Sequence, residues 1–264
     1  MMTQTTAMKQ KLFMCAMTNN LESIPADWLA PPGVHACCTT RMGGVSAAPF
    51  DHLNLATHVG DEAQAIAENR QRLRAAFSLP AEPFWLNQVH GVTVAEAGTS
   101  PLPDADAAYT DQPHTVLAIL TADCLSVVFA SDDGLEIAAA HAGWRGLAAG
   151  VLEATVARFT ALPARIHVWM GPAIGPTTFE VGEEVRAAFV DAHADEAQGF
   201  NPTSVPGKYC ADLFILARLR LHRAGVCYIN GGGLCTFSDA QRFYSYRRDH
   251  GRTGRMATLV WRSA

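Results

Sequence analysis

The chain has 264 residues, 49% of them hydrophobic and 17% charged; 20 Lys and Arg against 25 Asp and Glu give a formal net charge of −5. That balance excludes global disorder and gives no sign of a nucleic-acid-binding surface, while the length is ample for a sizeable core. The seven cysteines follow no framework spacing, which reads as reduced thiols serving chemistry or metal binding, not a disulfide scaffold.

The first twenty residues carry Lys9 and Lys11 ahead of a short apolar run, Leu12–Met17, that falls short of a secretory core. We expect a mobile tail over 1–20, several methionines leaving the true start open, and a single catalytic domain over 21–264. No stretch approaches the roughly 20 apolar residues needed to span a bilayer, so a cytoplasmic protein without a membrane partner is expected.

Gly33–Thr40 reads as a strand running into a turn at Arg41-Met42-Gly43-Gly44. Asp61–Phe77 reads as a helix capped by Asp61, with Ile66, Leu73 and Phe77 on one face. Phe84–Val94 is apolar and β-prone, interrupted by Gly91. Thr115–Thr121 and Leu125–Ala130 are expected strands flanking Ala122-Asp123-Cys124. Asp132-Asp133-Gly134 signals a turn, and Leu135–His141 returns to complete a hairpin. A helix is expected over Leu147–Phe159, then a strand at Arg165–Met170 and a rigid loop over 171–176. Helices at Gly182–His193 and Ala211–Ala224 precede strands at Val226–Ile229, Phe243–Arg247 and Met256–Arg262. The irregular alternation predicts an α/β fold, a single layered domain with a mixed β-sheet flanked by helices.

Three polar residues interrupt apolar elements: His90 before Gly91, Cys124 between two strands, and His141 at the end of the return strand. The hairpin would bring Cys124 beside His141. One thiolate and two imidazoles make a three-ligand zinc site with an open fourth position. The spacing is not a local zinc signature, and buried histidines or a small hydrophobic cysteine are the plainer readings. His2Cys also suits copper, but the ten histidines contain no His-x-His pair for a second, histidine-rich copper cluster. A hydrolase with Cys124 as nucleophile and His141 as base, or a non-catalytic metal-binding protein, remain alternatives.

The chain resembles the YfiH-type laccase-domain (polyphenol oxidase-like) family. The resemblance rests on Thr39–Ser46, Leu53-Asn54-Leu55, His58–Asp61, Asn69-Arg70, Asn87–Gly91, Ala105-Asp106-Ala107, Thr121–Cys124, Ala140–Gly146, Gly171–Pro176, Cys235-Thr236, Tyr244–Asp249 and Thr253–Arg255. Ser126 departs from a common proline, a change expected to loosen the strand entry, and His250 departs from a common glycine. The resemblance implies metal ligation by His90, Cys124 and His141. It implies phosphorolysis of adenosine, inosine, guanosine and S-methyl-5′-thioadenosine, with adenosine deamination. Zinc is the implied cofactor, with copper, and hence a phenol oxidase, as the alternative. Purine nucleoside and phosphate are the implied partners, and the chain is expected as a monomer or homodimer. For that chemistry Arg41 and Arg145 are candidate anion clamps. Gln88 and Asn87 are candidate base or sugar contacts. Asp123 is a candidate to orient a ligand imidazole or accept a proton. Each has a plainer reading: loop fixing for the arginines, backbone bonding for the amides and turn capping for Asp123.

Overall fold

The computed structural model describes residues 21–263; the expected tail over 1–20 lies outside them. In chain order the first half contains β1 (Ser23–Pro25), β2 (Val34–Thr39), α1 (Ala63–Ala76), β3 (Val94–Glu96), β4 (Ala107–Thr110), β5 (Val116–Thr121), β6 (Leu125–Ser131) and β7 (Ile137–Ala142). The second half contains α2 (Trp144–Ala149), α3 (Val151–Val156), β8 (Ile166–Met170), β9 (Glu180–Gly182) and α4 (Glu183–Val190). It closes with β10 (Phe200–Pro202), β11 (Lys208–Ala211), α5 (Leu213–Arg223), β12 (Tyr228–Gly231) and β13 (Met256–Arg262).

A six-stranded sheet in the order β12-β8-β6-β7-β4-β3 forms the centre. It is mixed, with β12–β8 and β3–β4 parallel and the other pairs antiparallel. An antiparallel four-stranded sheet, β1-β2-β13-β5, stacks on one face. Leu117 and Ile119 of β5 and Val260 of β13 meet Val128 and Ala130 of β6 and Ile137 and Ala139 of β7. On the opposite face of the centre, Leu125, Val127 and Phe129 pack under Leu147, Val151, Leu152, Leu216 and Leu221 of the helices. The outer face of β5 presents Val116, Ala118 and Leu120 to Leu73 of α1 and to Leu53 and Leu55. The result is four layers: helix, sheet, sheet, helices. The inner strands of the two stacked sheets are covered on both faces, so β5, β6 and β7 are buried throughout and read as continuous apolar runs. Each such Leu, Ile or Phe contributes about 1.5–3 kcal/mol by leaving water.

The α/β class and the hairpin agree with the sequence reading, and five details differ. The strands form three sheets, the third a small antiparallel one, β10-β11-β9. Asp61 does not cap α1 through its side chain: its Oδ2 accepts from Ser46 Oγ and Asn54 Nδ2, and Glu62 is the N-cap residue. The expected long helix after His141 begins at Trp144 and breaks at Gly150, whose φ of 101° ends α2 and starts α3. Phe243–Arg247 is no strand, because Ser245 Oγ and the Arg247 N–H donate to the Asp123 carboxylate instead of joining a ladder. Ser126, expected to loosen its strand, is tied across the two sheets by a 2.7 Å hydroxyl pair with Thr258.

Candidate metal centre and cavity

The β6–β7 register pairs Leu125 with Ala142 and Ser126 with His141. Cys124 therefore stands at the open end of the hairpin beside His141. His90 comes from the loop before β3, and the three ligand atoms lie within 4.8 Å of one another. The two imidazoles meet edge to face with centroids 4.8 Å apart. Gly143 crosses the back of the group: a Cβ there would lie 3.0 Å from Cys124 Sγ and 3.0 Å from His90 Cδ2. Only a residue without a side chain lets the backbone approach so closely.

Asp106, placed just before β4, ties the ligands together. Its buried carboxylate accepts the N–H groups of Val89 (3.1 Å), His90 (2.9 Å) and Gly91 (2.6 Å), and Oδ1 lies 2.8 Å from His141 Nδ1. Its carbonyl accepts the His141 N–H at 2.6 Å. These bonds hold His90 in a left-handed conformation, φ 62°, and leave His141 Nε2 to face Cys124. Burial would raise the Asp106 carboxyl, but bonds from His141, Gly91 and His90 and the His141 charge bring it below the usual carboxylate range. Burial would likewise raise the Cys124 thiol; the His141 charge and hydrogen bonds from both imidazoles outweigh it and lower the thiol to about 6. Burial would lower His141, and the Cys124 thiolate and Asp106 carboxylate raise it to about 9.

The group opens into a cavity of about 440 Å³ lined in part by Trp144, Phe179, Tyr246, Arg145, Arg247 and Arg255. Of the residues expected to bind substrate, Arg145 and Gln88 line it. Arg145 is exposed and lies over the Trp144 ring at 4.4 Å. The Gln88 amide bonds both the N–H and the carbonyl of Leu120, each at 2.8 Å, so it acts as a short piece of strand. Asn87 is outside the cavity and donates to Asp104 Oδ1 at 2.6 Å. Arg41 is also outside: Nε and Nη2 donate to the Asp51 carbonyl, Nη2 to the Asp51 carboxylate and Nη1 to the Ala240 carbonyl. Its donors fix loops outside this cavity.

Asp123 borders the cavity, but its oxygens accept from Thr236 Oγ1 (2.6 Å), Ser245 Oγ (2.9 Å) and the Arg247 N–H (2.7 Å). The carboxylate that meets the His141 imidazole is that of Asp106 instead. Sequence reasoning gave no role to Asp106, His58, Phe179 or Arg255. Asp106 left two signals, a lone carboxylate between alanines at a strand entry and its place in a segment that carries the resemblance; His58 and Arg255 left only the second.

Among the described residues this is the one group of three His, Cys or acidic side chains set to share a metal. One soft thiolate, two imidazoles and an open side suit a catalytic zinc. Residues 35–263 match the family described as multi-copper polyphenol oxidoreductase laccase. The chain belongs to this YfiH-type laccase-domain family. A family relative in Pseudomonas aeruginosa named purine nucleoside phosphorylase is 56% identical over 235 residues, covering 89% of this chain and 96% of the relative. The purine nucleoside phosphorylase YfiH of Escherichia coli is 51% identical over 240 residues, covering 90% and 98%. The crystal structure of a Neisseria meningitidis protein superposes with a TM-score of 0.88 at 44% identity, covering 92% of this chain and 99% of that one.

Proposed function

We propose that the chain is a zinc-dependent purine nucleoside phosphorylase acting on adenosine, inosine, guanosine and S-methyl-5′-thioadenosine, with adenosine deaminase activity, in the cytoplasm as a monomer or homodimer. The observation that carries this reading is the His90–Cys124–His141 group opening onto a cavity of about 440 Å³ with aromatic and guanidinium walls. The names of the relatives support its purine nucleoside phosphorylase part.

In phosphorolysis the bond from C1′ of the ribose to the purine breaks, a phosphate oxygen bonds to C1′, and the purine leaves with a proton. In deamination water replaces the exocyclic amine and ammonia leaves. Zinc, held by His90, Cys124 and His141, would supply Lewis acidity at the cavity floor. The remaining work belongs to the chain. Asp106 holds the ligand imidazoles in place. The faces of Trp144, Phe179 and Tyr246 offer apolar contact to a purine. The guanidinium groups of Arg247 and Arg255 on the wall orient an anion and stabilise charge on it. Asp123 locks the Cys124 turn to the 245–247 segment, which makes it a positioning residue in this scheme.

Adenosine incubated with phosphate and purified protein is expected to give adenine and ribose 1-phosphate, and inosine, on chromatography. No product from zinc-replete protein overturns the proposal. Stoichiometric copper with oxygen consumption on a phenol would replace it by the oxidase reading.

A further inference from the structure

The cavity wall carries three guanidinium groups, those of Arg145, Arg247 and Arg255, and among the described residues none is in an ion pair. Elsewhere the fold compensates such charges: Arg220, almost wholly buried, is met by Glu153 and Glu196 at 3.1 Å each. Asp123 is the one carboxylate on the cavity wall among the described residues, and its oxygens are taken by Thr236, Ser245 and the Arg247 backbone. A cationic wall left without its counter-charge is an anion site waiting for its ligand.

The three arginines are not equivalent. Arg145 is exposed and lies against Trp144. Arg247 is exposed, 5.4 Å over the Phe179 ring, with Nη1 donating to the Glu180 carbonyl. Arg255 is the partly buried one. Its Nη1 donates to the Thr253 and Gly254 carbonyls at 2.8 and 3.0 Å, which fixes the guanidinium plane. Its Nε and Nη2 make no hydrogen bond among the described residues; Arg145 and Arg247 share that opening, but only at Arg255 is the guanidinium both partly buried and held by two backbone carbonyls, so that its free edge is a preorganised fork for two oxygens of one oxyanion. Arg41 and Arg70 have the same edge closed, on the carbonyls of Asp51 and Leu55. Arg255 also lies close enough to Cys124 and Asp123 to feel their charges, so an anion held there stands beside the metal ligands. His58, on the same wall, feels the Arg255 charge in turn.

We propose that the Nε–Nη2 edge of Arg255 is the phosphate-binding element of the cavity, with Arg247 adding a second positive charge, and that Arg145 is not. The site takes free inorganic phosphate, not the phosphate of a nucleotide. The assignment deepens the phosphorylase reading and rests on it for the choice of anion.

The test titrates inorganic phosphate into the full-length, metal-replete protein without nucleoside, read by calorimetry and by Trp fluorescence, for the wild type, Arg255→Gln, Arg255→Lys, Arg145→Gln and the surface control Arg252→Gln. Arg255→Gln is expected to weaken phosphate about tenfold to a hundredfold. Arg255→Lys should fall between, having charge but no fork, and the other two should match the wild type. In turnover, Arg255→Gln should raise the KM for phosphate and leave that for nucleoside unchanged. Unchanged phosphate affinity in both Arg255 variants, or a loss confined to Arg145→Gln, overturns the assignment. Tighter binding of adenosine 5′-monophosphate than of phosphate at Arg255 overturns it as well. Phosphate binding that depends on Arg255 without phosphorolysis by the wild type would sink the phosphorylase reading and leave the anion site. Phosphorolysis with Arg255-independent phosphate binding would do the reverse.

Discussion

In the middle of β2, Cys37 and Cys38 point to opposite faces of the four-stranded sheet, one toward α1 and the other toward the central sheet. Burial pushes both thiols up to about 12, with the neighbouring Cys38 adding to the shift at Cys37. At the open end of the β6–β7 hairpin, burial acts on Cys124 in the same sense, yet that thiol falls to about 6. The difference lies in the neighbours: aliphatic side chains around the first pair, two imidazoles beside Cys124. Desolvation sets the sign of a thiol shift only where no cation faces it. The fold thus keeps two cysteines as small hydrophobes and gives a third the thiolate character that a metal ligand requires.

The contrast can be broken most severely by Cys124→Ala, which should abolish stoichiometric metal, measured by plasma mass spectrometry, and reduce turnover to background. Retained metal at one equivalent would mean that the ligand set is wrong. Next in size is Asp106→Asn. The amide loses the charge that favours the His141 arrangement and one acceptor of the His90 loop bonds, so metal affinity should fall about 10- to 100-fold in a chelator competition. Circular dichroism should stay native.

A third experiment reads the thiols directly. At pH 7 the metal-free protein is above the value of about 6 for Cys124 and far below the values of about 12 for Cys37 and Cys38. Cys124 is then largely thiolate and the pair is thiol, so a brief alkylation should mark Cys124 and leave Cys37 and Cys38 unmodified until the protein is unfolded; metal should protect Cys124. The smallest effect is expected from Cys38→Ala. Losing one buried sulfur there should lower unfolding stability by about 1 kcal/mol and leave metal content unchanged.

The layered α/β fold and the hairpin were legible in the sequence because β5, β6 and β7 are buried on both faces and read as plain apolar runs bounded by a turn at Asp132-Asp133-Gly134. His90, Cys124 and His141 were legible because polar residues rarely interrupt such runs without a reason. The division into separate sheets was not, since the same double-sided burial hides which strand pairs with which. The non-strand over Phe243–Arg247 was hidden for another reason: β-forming residues there are held by a carboxylate more than a hundred positions away, Asp123. Long-range bonds of that kind also explain the arginines. Arg41 and Arg255 both sit in segments that carry the resemblance, yet Arg41 spends its donors on loop carbonyls outside the cavity, whereas Arg255 lines the cavity and bonds the protein through Nη1 alone.

The most direct test of the account follows adenosine and phosphate by chromatography with the zinc-replete wild type and with Cys124→Ala side by side. The account predicts adenine and ribose 1-phosphate from the wild type and none above background from the variant. Intact adenosine with the wild type, or equal turnover by the variant, would contradict it.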